Sequence, residues 1–160
     1  MVNIPIRIGT SIREEIEAVY DDILQRACEM VLNRYGAGTL DVEDWFAAEN
    51  ELLRKPEIEI TDMDRSFVVR IALGNIDPST LNVLATPDNL VLQSIENAPY
   101  PRVFRAIKLP LPINPALVRA IFSNGKFFFV APKIGVSERG ESDEVVQVAT
   151  ATRVLLNARR

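Results

Sequence analysis

The spacing of apolar residues changes once along this chain, near residue 57. Before that point, Ile12, Ile16, Val19, Tyr20, Ile23, Leu24, Ala27, Val31 and Tyr35 recur at helical intervals. They predict a helix that opens on a Ser11/Glu14 capping box and ends at Gly36 and Gly38. A second helix opens at Asp41, with Asp44 in its first turn. It places Val42, Trp45, Phe46, Glu49, Leu52 and Leu53 along one side, and Pro56 closes it. Two amphipathic helices with a short link make a helical hairpin whose apolar stripes need a partner surface, either each other or a neighbouring chain. Ahead of it, residues 2–8 read as an extended arm, with Ile4, Ile6 and Ile8 on one face at period two around Pro5.

From residue 57 the period is two. Strands are predicted around Ile58, Ile60 and Met63; Phe67, Val69, Ile71 and Leu73; Leu81, Val83 and Ala85; Leu90, Leu92 and Ile95; and Val103, Arg105, Ile107 and Leu109. Gly74-Asn75, Asp77-Pro78 and Pro87-Asp88-Asn89 are turn residues between them. Beyond the proline-rich connector at 109–115 lies the strongest hairpin signal of the chain. Val118, Ala120 and Phe122 alternate with polar and apolar neighbours, Asn124-Gly125 supplies a turn that tolerates positive φ, and Phe127 and Phe129 alternate until Pro132 stops the ladder. Short strands with turns every ~8–12 residues predict a mainly β fold, an antiparallel sandwich. A polar linker (135–144) and an apolar tail (145–156) follow, so three parts are expected: an arm and helical hairpin (1–56), a sandwich (57–133) and a mobile tail (134–160).

The strand order carries a family resemblance. Glu57 to Thr61, the Phe67–Leu73 strand, Asp77-Pro78, Leu81-Asn82-Val83, Leu90, Arg105 to Leu109-Pro110, Ala120, Asn124-Gly125, Phe127, Phe129 and Pro132-Lys133 stand in the order and approximate spacing of the α-crystallin domain of small heat-shock proteins. The resemblance implies an immunoglobulin-like, crystallin-type sandwich preceded by the helical hairpin. It further implies an apolar edge groove flanked by Leu81 and Val83 on one strand and Ala120 and Phe122 on another, which accepts an Ile-x-Ile segment. Alternate isoleucines fill pockets while the backbone adds to a sheet edge. Here the candidate plugs are Ile4 and Ile6 in the arm, which is favoured, and Val146 and Val148 in the tail. Arg105 matches the family's dimer-interface arginine. Bacterial members exchange a strand through a long loop. The Glu96–Pro101 connection is too short to reach another subunit and return, which argues against a strand-exchanged dimer. The helical part is similar to a short bacterial domain of unknown function, through Arg26-Ala27, Arg34-Tyr35-Gly36, Glu43-Asp44-Trp45 and Glu49 to Leu53; that match implies no chemistry.

Composition narrows the function. The 160 residues include no histidine, which removes Ser-His and Cys-His nucleophile pairs and the commonest metal ligand. Cys28, the one cysteine, rules out an intramolecular disulfide and is expected to pack as a small hydrophobe. Acidic pairs such as Asp62/Asp64, Glu43/Asp44 and Glu14/Glu15 read as solvated faces and helix N-terminal charges rather than cation sites. An enzyme is not expected, and neither are cofactors or metals. Residues 1–56 hold six Lys/Arg against eleven Asp/Glu, and 57–160 hold twelve against eleven, which offers no footprint for nucleic acid. No apolar run reaches the ~18–20 residues of a membrane span and no signal peptide is recognised, so a cytoplasmic protein is expected. Three apolar side chains are candidate client or subunit contacts: Trp45, Phe46 and Phe128. For Phe128 the alternative is cover by the helices, and for Trp45 and Phe46 it is packing within the hairpin. The functions implied are an ATP-independent holdase for non-native client proteins that self-associates, an adaptor module docking on one partner, or a structural protein without clients.

Overall fold

A computed structural model describes residues 1–36, 38–95 and 101–135. Among these, the β9–β10 hairpin (β9 Arg119–Ser123, β10 Lys126–Pro132) forms the centre of one sheet. Its turn uses Asn124 and Gly125 at φ of 50° and 77°, and the flanking Ser123 and Lys126 pair directly. A two-residue turn with both centres at positive φ matches the twist of the two strands it joins. β10 then pairs along its whole length with β5 (Ser66–Ala72), and β5 with β4 (Ile58–Asp62). Met63 leaves that predicted strand: its N–H donates to Ser66 O at 2.9 Å and makes the turn.

The second sheet is built on β6 (Leu81–Ala85), β7 (Asn89–Ser94) and β8 (Arg102–Lys108), all antiparallel. The predicted antiparallel sandwich is therefore present, with the two sheets face to face. Phe67, Val69, Ile71, Phe127 and Phe129 from one side meet Leu81, Val83, Leu90, Leu92, Val103 and Ile107 from the other in one buried core. Phe127 and Phe129 meet edge to face with ring centres 4.8 Å apart, a geometry that favours aromatic pairs.

Three short strands from before residue 57 complete the sheets. β1 (Val2–Ile4) is the edge next to β9, β2 (Ile6–Ile8) runs parallel to β6, and β3 (Leu53–Arg54) runs parallel to β8. The sheet orders are β1-β9-β10-β5-β4 and β2-β6-β7-β8-β3.

The helices α1 (Arg13–Tyr35) and α2 (Val42–Leu52) lie on the outer face of the second sheet, where Val19, Ile23, Ala27 and Ala48 pack on Leu84, Val91 and Phe104. Arg102 fastens this layer, donating to Asp22 Oδ2 at 2.6 Å from a largely buried position. Three helix expectations change. The Ser11/Glu14 box does not form; Ile12 is the N-cap, and Ser11 Oγ accepts from the nearby Arg13 N–H instead. The capping box lies in α2, where Asp41 and Asp44 exchange hydrogen bonds with each other's N–H. And α2 stops at Leu52, before Pro56, because Leu53 turns extended and joins β8. Gly36 ends α1 as predicted, at φ 70°, donating to Leu32 O.

Candidate functional site

The apolar groove inferred from Leu81, Val83, Ala120 and Phe122 lies where the β6 edge of one sheet comes over the β9 edge of the other. The chain's own arm lies along it. Val2, Asn3 and Ile4 pair antiparallel with Phe122, Ile121 and Ala120; Ile6, Arg7 and Ile8 pair parallel with Val83, Leu84 and Ala85. Pro5, exposed and with no N–H to offer a ladder, sits where the chain leaves one sheet for the other. The arm thus closes the open side of the sandwich and caps both edges at once.

Side-chain alternation fixes the contacts. Ile4 is buried in the inter-sheet core and Ile6 is half-buried against it, while Ile8 at the far end is exposed. Arg7, on the opposite face, donates from Nε to Asn82 Oδ1 at 2.9 Å and pairs with Glu15 at 3.5 Å. The Gly9 N–H then donates to Ala85 O at 3.0 Å. A Cβ at Gly9 would come within 3.1 Å of Leu84 Cδ1, so the glycine lets the backbone pass close to the Leu84 side chain as it leaves β2. An open cleft of about 360 Å³ remains beside the arm, floored by Ile4, Ile6, Pro115 and Val118. The rival plug, Val146 and Val148, lies outside the described residues, as do residues 96–100 of the short connection.

The other candidate residues are scattered. Trp45 is half-buried, its ring edge-on to Tyr20 at 5.6 Å, within the hairpin. Phe46 is 55% exposed, and Val42 shares its outward side, because Ala48 and the paired Asp44 are the buried positions of α2. Phe128 is fully buried, so it is no exposed contact. The helices are not its cover either: they pack on the other sheet, while Phe128 lies between Arg70 and Ile121 of its own. Cys28 is exposed rather than packed, one position past the buried Ala27.

Arg105 stands opposite Leu92 on β8, with Nε buried and no hydrogen-bond partner. Burial pushes its pKa below the ordinary arginine range, since the charge has lost solvation. Because β3 pairs only with Arg102 and Val103, the rest of β8 is a sheet edge among the described residues.

Lys133, which sequence reasoning left without a role, turns inward. It pairs with Asp62, donates to Met63 O at 2.6 Å, and stands over the Phe67 ring at 4.8 Å. The Arg102–Asp22 tie was also missed, since nothing local marks a pair 80 residues apart. Among the described residues no group of three or more His, Cys, Asp and Glu is placed to hold a metal ion, and no helix is long and apolar enough to cross a membrane.

Comparison with known proteins places this architecture beside several solved structures. It is similar to heat shock protein 16.0 from Schizosaccharomyces pombe, at 17% identity and a TM-score of 0.47, over 55% of this chain and 94% of that one. It is similar to hspA from Xanthomonas axonopodis, at 20% identity and TM-score 0.45, over 52% and 98%. A small heat-shock protein from Xylella fastidiosa matches at 20% identity and TM-score 0.44, over 54% and 92%. These neighbours are heat-shock proteins. No family model and no curated protein matches the sequence.

Proposed function

We propose that this protein is a cytoplasmic, small-heat-shock-protein-like holdase that binds partly unfolded proteins without ATP and keeps them from aggregating, and that it self-associates. The observation that carries the reading is the surface of the helical hairpin. Tyr35, Val42 and Phe46 are exposed there, clear of the Tyr20-Leu24-Leu32 row of α1 and above a sandwich whose own core is closed. Apolar side chains left in water at roughly 25 cal/mol per Å² are a reservoir of binding energy for any chain exposing similar surface. Capture then needs only mass action and no catalytic group. The ordered match of residues 57–133 to the crystallin domain supports the same reading. In it, the Leu81/Val83/Ala120/Phe122 groove takes an extended apolar segment, and Ile4 and Ile6 are that segment.

A second reading has its own observation. An arm seated in its own groove removes the site through which crystallin-type chains would link, which suits an adaptor that docks on one defined partner.

Light scattering of a heat-labile client, with and without an equal subunit ratio of this protein, separates the two. Suppression by the full chain, lost in a Val42→Glu/Phe46→Glu variant that melts at an unchanged temperature, supports the holdase. Undiminished scattering with the full chain refutes it and leaves the adaptor.

A further inference from the structure

Helix α1 carries two apolar rows set one residue apart. Val19, Ile23, Ala27 and Val31 are buried. Tyr20, Leu24, Cys28 and Leu32 repeat the same four-residue step and face water, with Tyr20 57%, Leu24 45% and Leu32 56% exposed and Cys28 exposed as well. A rise of 1.5 Å per residue makes this outer row about 18 Å long. Side chains four apart form a ridge, and such ridges fit into the groove beside an identical ridge on another helix.

The charge along α1 says in which direction a second copy would lie. From Arg13 to Asp22 there is one arginine against five acids (Glu14, Glu15, Glu17, Asp21, Asp22), whereas from Gln25 to Tyr35 there are two arginines against Glu29. Two copies side by side in parallel would set acidic end beside acidic end. Antiparallel copies set the acidic half of each beside the less acidic half of the other, and oppose their helix dipoles. Arg26 and Arg34 are held within their own chain, by Glu51 and Asp44, so this pattern sets the orientation of the two helices rather than adding ion pairs between them.

We propose that two copies of this chain associate through the outer row of α1, antiparallel, about a two-fold axis level with Arg26. Leu24 then meets the partner's Cys28, and Tyr20 meets the partner's Leu32. Arg26 does not obstruct the axis, because it turns to Glu51 on the other flank, donating from Nε at 2.8 Å. The interface is isologous, as two-fold symmetry requires. It rests on the self-association in the reading above and assigns it a surface.

Sedimentation equilibrium of the full chain gives the mass, and mild oxidation gives the register. A Leu24→Cys/Cys28→Ser variant is mixed with a tagged wild-type chain, whose one thiol is Cys28. The expected result is a dimer whose disulfide forms in the mixture and not in either protein alone, because residues 24 and 28 meet only each other across the axis. A Leu32→Glu variant, substituted at an exposed position, keeps the fold and weakens association at least about tenfold. Efficient cross-linking of the wild type alone would mean parallel helices and overturn the proposal. A dimeric or larger mass without the mixed disulfide would place self-association elsewhere and also overturn it. A monomer at all concentrations would overturn both this interface and the self-association it rests on.

Discussion

The arm offers the sharpest test, because its seat in the groove predicts a local response to a local change. In an Ile4→Ala/Ile6→Ala variant, the first substitution empties a core position and the second a half-buried one. Truncating a buried isoleucine to alanine costs about 2–5 kcal/mol, and the half-buried one costs less. The arm cannot absorb that loss. It consists of two three-residue strands, and holding six residues in place costs about 1–2 kcal/mol each in backbone entropy alone. Removing its two anchors should therefore release it while β5, β6, β7 and β10 stay folded. Native-state hydrogen exchange reads this directly. Amides in β6 and β9 that bond to the arm should exchange much faster, while those of β10 opposite β5 keep their protection. Adding a synthetic peptide of residues 1–9 should restore the slow exchange. If the β6, β9 and β10 amides all speed up together, the arm is part of the cooperative core and not a detachable segment, and the reasoning fails. Unchanged exchange everywhere would also refute it, by showing that the isoleucines do not hold the arm.

Phe128→Ala should destabilise by about 3–5 kcal/mol in urea unfolding, the cost of emptying a fully buried aromatic site; a change within about 0.5 kcal/mol would mean that the ring is a surface contact after all. Gly125→Ala should cost at least the ~1–2 kcal/mol of a left-handed alanine, because φ is 77° and a Cβ there would come within 3.1–3.3 Å of Gly74 backbone atoms; an unaffected unfolding midpoint would refute this close approach. Asp77 accepts from the Ser79 N–H and then from its hydroxyl, and both hold its carboxyl below the usual 3.8. Its contribution to stability is therefore complete above the unfolded-state pKa and is lost as pH falls through the lower folded-state value. An NMR titration of the Asp77 carboxyl checks the sign, and a pKa at or above that of an exposed aspartate would contradict it.

What the sequence shows, and what it hides, follows from how far each signal reaches. Alternation at period two placed the strands from β4 to β10 because alternate residues of each turn toward the core between the sheets, and Asn124-Gly125 announced its turn because few other residues adopt two positive φ angles in succession. The same alternation said that Phe128 points away from Phe127 and Phe129, but not whether that outer face meets water. On α1, Val19-Ile23-Ala27-Val31 and Tyr20-Leu24-Cys28-Leu32 both satisfy helical spacing. They differ by one residue, or 100° around the axis, so spacing alone cannot say which row turns inward. β-Branched and small residues fill the buried row; longer side chains and the cysteine fill the outer one. β3 has two residues and no pattern, and only the neighbouring edge of β8 makes it a strand. The candidate groove was legible in Ile4-Pro5-Ile6 as a chemical type, but its parallel register on β6 belongs to the tertiary fold.

The arm and the α1 row differ in what must happen before a second chain can use them. The arm is tethered to α1 through Gly9, Thr10, Ser11 and Ile12, so its local concentration at the groove is of millimolar order, as for other short flexible links. A segment from another copy must outcompete it and would do so only near that concentration, or after the arm had been released. The outer row of α1 requires no such release, because its side chains already face water and the helix beneath them is held by Asp22 to Arg102 and by Arg26 to Glu51. At micromolar protein, association should therefore begin on the helix, with the groove still filled by its own chain. The Ile4→Ala/Ile6→Ala variant makes the order measurable: its two-copy association should match that of the wild type, and any further growth in assembly size should appear only when the variant, with its emptied groove, is mixed with wild-type chains that carry Ile4 and Ile6.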